Sequence, residues 1–413
     1  MFLFFLFSLE LTNQTHFDRP IEMDIFENSH YKLNRIFLSM VGLWPFLDKK
    51  RKFFLRIIAK ICLACLLIPQ ISMIASNVNM ETIIDVCIFF LPSVAIAEGY
   101  YTMYINNEKV KMILEHIKYD WSIFAVGRER GIMQEHAEES KMFTVILAAV
   151  HYLSMYFLIF LSMAPALLDF VVPLNETRPR ELPIPAVFFF DHEKYFFYMI
   201  LIAFFVSTVV GTISMAFYPL ILICMKHVCG LFQIAGYLFE NIINKEDDEY
   251  HVYDTEQFYA KVIRGVKCHK RAINFVNLVN SYYEWALFIQ VLLTFIILAI
   301  EIFAILTLDM AEQNFDEIVT YVFYVIAVMI FVFFTGHIGQ LVIDCSADVF
   351  NKAYATPWYT LPIKTRKLFY LVMMRSIKPC YISVGNVQFL SYELLMLALQ
   401  KSASYAMVIK SMK

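Results

Sequence analysis

Runs of apolar residues long enough to cross a bilayer alternate with polar connections along most of this chain. A membrane helix needs about 20 predominantly apolar residues, and seven stretches qualify: 54–76, 83–104, 141–163, 195–222, 280–306, 319–343 and 384–409. The first carries Arg56 and Lys60 near its start, where long cationic side chains snorkel to the headgroups. The last is the least apolar, with Glu393, Gln400 and Lys401 inside it. Connections 105–140, 164–194, 223–279 and 344–383 are long and polar, whereas 77–82 and 307–318 are short and join antiparallel neighbours. The pattern predicts an all-α polytopic protein with seven transmembrane helices.

Lys and Arg counts set the orientation. Seven precede Phe53, five lie in 105–140, seven in 223–279 and six in 344–383. The other side holds three in 164–194 and two at the carboxyl terminus, so the bias is twenty-five against five. The amino terminus is therefore expected in the cytosol and the carboxyl terminus outside. Asn175-Glu176-Thr177 then forms a glycosylation sequon on the outer face, with Asn175 the candidate acceptor. Asn13-Gln14-Thr15 is on the wrong side. The opening MFLFFLFSLEL lacks a basic n-region and a small-residue cleavage site, so it reads as an interfacial or disordered lead, upstream of an alternative start at Met23.

Composition agrees. Apolar residues are 60% and charged residues 17% of the chain, against about 45–50% and about 25% in soluble proteins. A soluble enzyme is excluded on that ground. A net charge of −3 leaves no basic field for nucleic acid. None of the eight cysteines falls in a connection placed outside, which predicts no disulfide. Cys62 and Cys65 form a CxxC inside an apolar helix, where packing is the expected role.

Seven helices invite a G-protein-coupled receptor reading, which needs an external amino terminus, opposite to the charge bias. The 164–194 loop also lacks a cysteine, and no Asp-Arg-Tyr follows the third helix. A secondary transporter should show inverted repeats and Gly- or Pro-broken helices at matching positions, and none is visible. Intramembrane enzyme motifs are absent: no HExxH, no GxSxG and no paired membrane aspartates. No cofactor or metal is expected. Leu231, Ile234, Ala235, Leu238 and Phe239 keep helical spacing, so the fourth helix should continue below the membrane. The acidic run 246–249 reads as a solvated loop. The 344–383 region, punctuated by Pro357, Pro362 and Pro379, reads as further helices below the bilayer, and together these make a layer suited to packing subunits.

The last 80 or so residues carry the most specific pattern. Gly339-Gln340, Ser346, Ala353-Tyr354, Trp358-Tyr359, Arg375-Ser376 with Lys378-Pro379, and Ser402, Ser404 and Tyr405 resemble the carboxyl-terminal third of the insect odorant receptor family. Leu33-Asn34-Arg35 and Gly42-Leu43-Trp44-Pro45 look like the amino-terminal signature of its hymenopteran members, and His269, Phe275 and Gln290 fit the family's approach to the fifth helix.

The resemblance implies an odorant-specific subunit of a tetrameric, odorant-gated, nonselective cation channel. Such a subunit works with a shared co-receptor, without a G protein, in the plasma membrane of olfactory neuron dendrites. It implies four segments: a cytosolic lead 1–53, helices one to six over 54–343, a cytosolic anchor 344–383, and a pore-lining seventh helix over 384–413. It also implies a hydrophobic gate at Val408, which would block ions by dewetting. Lys401, Ser404, Val408 and Ser411 share one helical face, making Lys401, Ser404 and Ser411 pore-facing candidates; pairing of Lys401 with Glu393 or a neighbouring subunit is the alternative. The family's pocket for small volatile odorants lies in the outer half of the membrane among helices two to six. Residue type there selects Phe89, Phe90 and Ser93 on the second helix, His151, Tyr152 and Met155 on the third, and Tyr321 and Tyr324 on the sixth. Glu98 and Glu301 are intramembrane carboxyls without an assigned partner. The competing readings are a gustatory receptor-type channel of the same superfamily and, from another class, a secondary transporter.

Overall fold

The computed structural model describes residues 25–27, 29–76, 79–172, 178, 180, 182–187, 194–243, 255–307 and 315–412. The opening lead, the sequon at Asn175 and the acidic run lie outside the described residues.

Ten α-helices are present among them. A short α1 (Lys32–Met40) leads into α2 (Lys49–Ser76) and α3 (Met80–Ile105). Then come α4 (Asn107–Ile123), α5 (Gly127–Val171) and α6 (Phe196–Glu240), followed by α7 (Thr255–Thr307), α8 (Phe315–Ala355) and α9 (Ile363–Ser376). A two-stranded hairpin, β1 (Ser383–Val384) with β2 (Gln388–Phe389), precedes α10 (Tyr392–Met412). Six helices, α2, α3, α5, α6, α7 and α8, are long and apolar enough to cross a membrane. The seventh, α10, carries Glu393, Lys401 and Lys410 and is the least apolar of the set.

The helices overrun the expected spans at their basic ends. The fifth span, expected to begin at 280, belongs to a helix that starts at Thr255, and α8 runs past the expected edge at 343 to Ala355. The so-called loops are thus partly helical columns below the bilayer. The continuation of the fourth helix is as its periodicity indicates, with Leu231, Ile234, Ala235 and Phe239 buried. Prolines 69, 92, 165 and 219 stand inside helices without breaking them, unlike the interrupted helices of many transporters.

The α6 helix is the hub. It contacts α1, α2, α3, α5, α7 and α8, and nearly every residue from Val210 to Gly236 is buried. A helix apolar all round belongs in a core. The amino-terminal signature has a local physical reason. Gly42 sits at φ +71° just past α1, the Leu43 amide donates to the Leu38 carbonyl at 2.8 Å and the Gly42 amide to Ser39 at 3.2 Å. Those two bonds make a Schellman cap, in which glycine tolerates the left-handed backbone. Leu43 and Trp44 are thereby driven into the core, while the Arg56 side chain donates to the Gly42 carbonyl at 2.9 Å.

The seventh span needs a correction. Helix α10 begins at Tyr392 and not at 384, because Gly385 and Asn386 both take positive φ, +63° and +56°, and form a hairpin turn. Strand pairing is Ser383 with Phe389 and Val384 with Gln388. The hairpin docks on α7: the Ser383 amide and hydroxyl donate to Asn280 Oδ1 (3.1 Å) and Glu284 Oε1 (3.0 Å), and Asn280 Nδ2 donates to the Tyr381 carbonyl (3.0 Å). This clamp fixes where α10 starts.

Candidate ligand pocket and pore helix

The pocket candidates divide into two groups. On α5, the Tyr152 hydroxyl reaches Thr212 Oγ1 at 2.8 Å, His151 Nε2 reaches Ser214 Oγ at 3.1 Å, and Met155 packs against Gly211. Thr212 already donates to the Thr208 carbonyl, so Tyr152 is the donor in its pair. These contacts seam α5 to α6. Tyr156 extends the seam, donating to Thr208 Oγ1 at 3.1 Å and stacking on Phe204 at 5.0 Å.

On α3 and α8, Phe89 and Tyr324 meet edge to face at 5.2 Å. Phe323 lies 6.2 Å from Tyr324 and 6.4 Å from Phe157 of α5. Phe157, Phe323, Tyr324 and Phe89 therefore form an aromatic chain bridging three helices in the half of the bundle away from the basic loops. Phe157 and Phe323 escape a sequence reading because aromatic residues saturate these spans, and only the helix crossing tells them apart. Phe90 and Tyr321 are half-buried on their helices, and Ser93 is buried, its hydroxyl donating to the Phe89 carbonyl at 2.8 Å. Glu301 is buried near Tyr324, and among the described residues its Oε2 has no hydrogen-bond partner.

Glu98 does have partners. It accepts from Gln290 Nε2 and from Thr102, both at 2.7 Å, while Gln290 also donates to the Ala95 carbonyl and accepts from the Tyr218 hydroxyl at 3.0 Å. This network ties α3, α6 and α7 together, and Gln290 and Thr102 each satisfy one oxygen of the membrane carboxyl.

On α10, Lys401, Ser404, Val408 and Ser411 are all exposed in the protomer, Val408 by 51%. Ser402 and Ala406 on the opposite face are fully buried, and Ser402 Oγ donates to the Phe295 carbonyl at 3.1 Å. Among the described residues Lys401 forms no ion pair, with Glu393 or otherwise.

The carboxyl-terminal motif residues lock α10 in place. A Cβ on Gly339 would overlap the Leu390 carbonyl oxygen, so only glycine lets α8 pass the approach to α10 this closely. Ser346 Oγ accepts the Cys380 amide at 2.8 Å, and Arg375 donates to the Lys378 carbonyl at 2.9 Å. Burial pushes the Cys380 thiol up from its ordinary pKa, against the opposing pull of Arg375. Below the bilayer, fully buried Asp120 of α4 holds His227 of α6 at 2.8 Å and pairs with Arg271 of α7. All eight cysteines are free, and no metal-binding cluster occurs among the described residues.

This architecture is that of a polytopic helical membrane protein. Residues 79–400, well over half of the chain, match the 7tm Odorant receptor family, and the chain belongs to that family. It is a receptor and not an enzyme. The fold is similar to that of the insect olfactory receptor OR5 from Machilis hrabei. The eugenol complex of that receptor matches with TM-score 0.68 at 13% identity, covering 93% of this chain and 98% of the other. A second OR5 structure matches with TM-score 0.68 at 14% identity, covering 94% and 100%. Odorant receptor 10 of Aedes albopictus is 30% identical over 148 residues, which span 35% of this chain and 38% of that relative's length.

Proposed function

We propose that this chain is an odorant-specific subunit of an odorant-gated, nonselective cation channel, completed as a heterotetramer by the shared co-receptor. The observation that carries this reading is the stripe on α10. Lipid cannot satisfy a lysine deep in a span, yet Lys401 shares an uncovered face with Ser404, Val408 and Ser411 while the opposite face is anchored to α7. A water-filled lumen shared between subunits suits that face, with Val408 as its dewetting gate.

Two further observations support the assembly and the ligand. Tyr354, Tyr359, Ile363, Tyr370, Met374 and Ile377, on the cytosolic end of α8 and on or beside α9, are each more than half exposed. Apolar surface on this scale in an aqueous layer suits an interface with neighbouring subunits. The aromatic chain from Phe89 to Phe157 suits a small, mostly apolar volatile ligand, and eugenol, bound by the Machilis hrabei relative, is a molecule of that kind. Odorant bound among α3, α5 and α8 opens the pore only insofar as it prefers the open state. The site of action is the plasma membrane of olfactory neuron dendrites.

Whole-cell recording during an odorant panel tests this reading, with the chain expressed alone and together with the co-receptor. Rapid, G-protein-independent cation current only in the co-expressing cells is expected. Saturable uptake without channel current would replace the reading with a transporter.

A further inference from the structure

A cavity lies apart from the outer aromatic chain. It holds about 70 Å³ open to the centres of water-sized molecules, between α6, α7, α8 and α10. The space needed for one water is only about 10–15 Å³ on the same measure. Tyr218, Gln290, Phe331 and Thr335 form its walls, and Leu394 and Ala398 of α10 close it. None of the outer-pocket candidates lines it. These positions sit toward the basic, cytosolic ends of their spans, so the cavity lies in the opposite half of the bilayer from the Phe89–Tyr324 contact.

Four of the five polar side chains in the wall have their hydrogens committed; the fifth, Ser391 at the α10 end, accepts the Leu394 amide at its Oγ. Both Gln290 amide hydrogens are used, on the Ala95 carbonyl and on Glu98, and the Tyr218 hydroxyl hydrogen is used on Gln290. Thr294 and Thr335 donate to backbone carbonyls of their own helices. What Tyr218 and Gln290 still present are oxygen lone pairs. An apolar molecule with a hydroxyl can donate to them, whereas an ether of the same shape leaves them unpaired.

We infer that this cavity is a second ligand site, taking a small apolar alcohol or phenol and acting on the pore helix from its cytosolic half. Its floor is the pore helix itself: Ala398 is ten residues from Val408, about 15 Å along the axis at 1.5 Å per residue. An occupant wedged against Leu394 and Ala398 bears on the same rigid helix that carries the gate. The modulatory role rests on the channel reading above; the binding site does not.

The test uses the purified full-length chain in lipid nanodiscs, with thermal unfolding measured against benzyl alcohol and benzyl methyl ether. Saturable stabilisation by the alcohol, with an apparent affinity about fivefold better than the ether's, is expected for one net hydrogen bond of roughly 1 kcal/mol. Val291→Phe, which fills the cavity, should abolish that stabilisation, and Tyr324→Ala in the outer cluster should leave it intact. Thr294→Leu serves the same purpose should Val291→Phe fold poorly. Equal stabilisation by both compounds overturns the inference, as does loss in Tyr324→Ala with retention in the filled variants. A cavity already held by a lipid tail gives no saturable alcohol response, which also overturns it. Because unfolding is read without current, a chain that binds the alcohol but passes no odorant current refutes the channel reading alone.

Discussion

Gly339→Ala should be among the most damaging single-methyl additions in this protein. The added Cβ would overlap the Leu390 carbonyl oxygen and stand 2.6 Å from two further Leu390 atoms, where ordinary contacts begin at 3.4 Å. Two of those three atoms are backbone, so no rotamer relieves the clash. The α8–α10 crossing must open by about 1 Å, and forced overpacking of this kind typically costs about 1–3 kcal/mol. The displaced residue, Leu390, lies two positions before the start of α10, so the strain passes directly into that helix. Gly131→Ala is the internal control: it also lies in a helix, but its new Cβ meets nothing closer than Arg128 Nη1 at 3.7 Å. That change should stabilise by about 0.5–1 kcal/mol, the usual advantage of alanine over glycine in a helix. The assay is thermal unfolding of the purified chain in nanodiscs, with surface expression in parallel. Gly339→Ala should unfold several degrees below the parent and Gly131→Ala at or above it. Equal midpoints for the two variants would refute the close crossing that positions α10.

Other substitutions probe the remaining elements. Asp120→Ala leaves His227 and Arg271 without their shared buried partner, and at about 3–5 kcal/mol for a broken buried pair it should abolish surface delivery, read by surface labelling. Tyr324→Ala removes the edge-to-face contact with Phe89, worth about 0.5–1.5 kcal/mol beyond area burial. It should shift an odorant dose–response curve to higher concentration by up to about tenfold, where Tyr324→Phe shifts it little. Cys380 is 8% exposed with its thiol pKa raised by burial, so in the native protein at pH 7.5 mass-spectrometric mapping should find it largely unalkylated by iodoacetamide, and modified after unfolding.

Much of the architecture is legible in the sequence because the bilayer enforces it. Span length is set by hydrocarbon thickness, so the apolar helices follow from residue types alone, whereas the receptor class rests on the resemblance of the carboxyl-terminal motifs to a known family. The helix ends are not legible, since apolar periodicity below the membrane continues without a break, as in Leu231 to Phe239. The start of α10 is missed for a related reason. Residues 384–391 are apolar enough to read as helix, and only the turn at Gly385-Asn386, with its anchor on Asn280 and Glu284, reveals a hairpin. The residues of the candidate pocket are the least legible. Phe89 and Tyr324 do meet, but His151, Tyr152 and Met155 pair with α6, and Phe157 and Phe323 are chosen by helix crossing geometry. That information lies in the relative rotation of helices, which residue type does not record.

The central claim is that α10 lines an ion pore gated at Val408. It is tested most directly by recording Val408→Cys, expressed with the co-receptor, while a charged thiol-reactive methanethiosulfonate reagent is applied in the presence and absence of odorant. Modification that is fast only while odorant holds the channel open, and that permanently alters the current, is the predicted result. Unchanged current, with the same cysteine readily labelled by a lipid-soluble maleimide, would place Val408 against lipid and contradict the account.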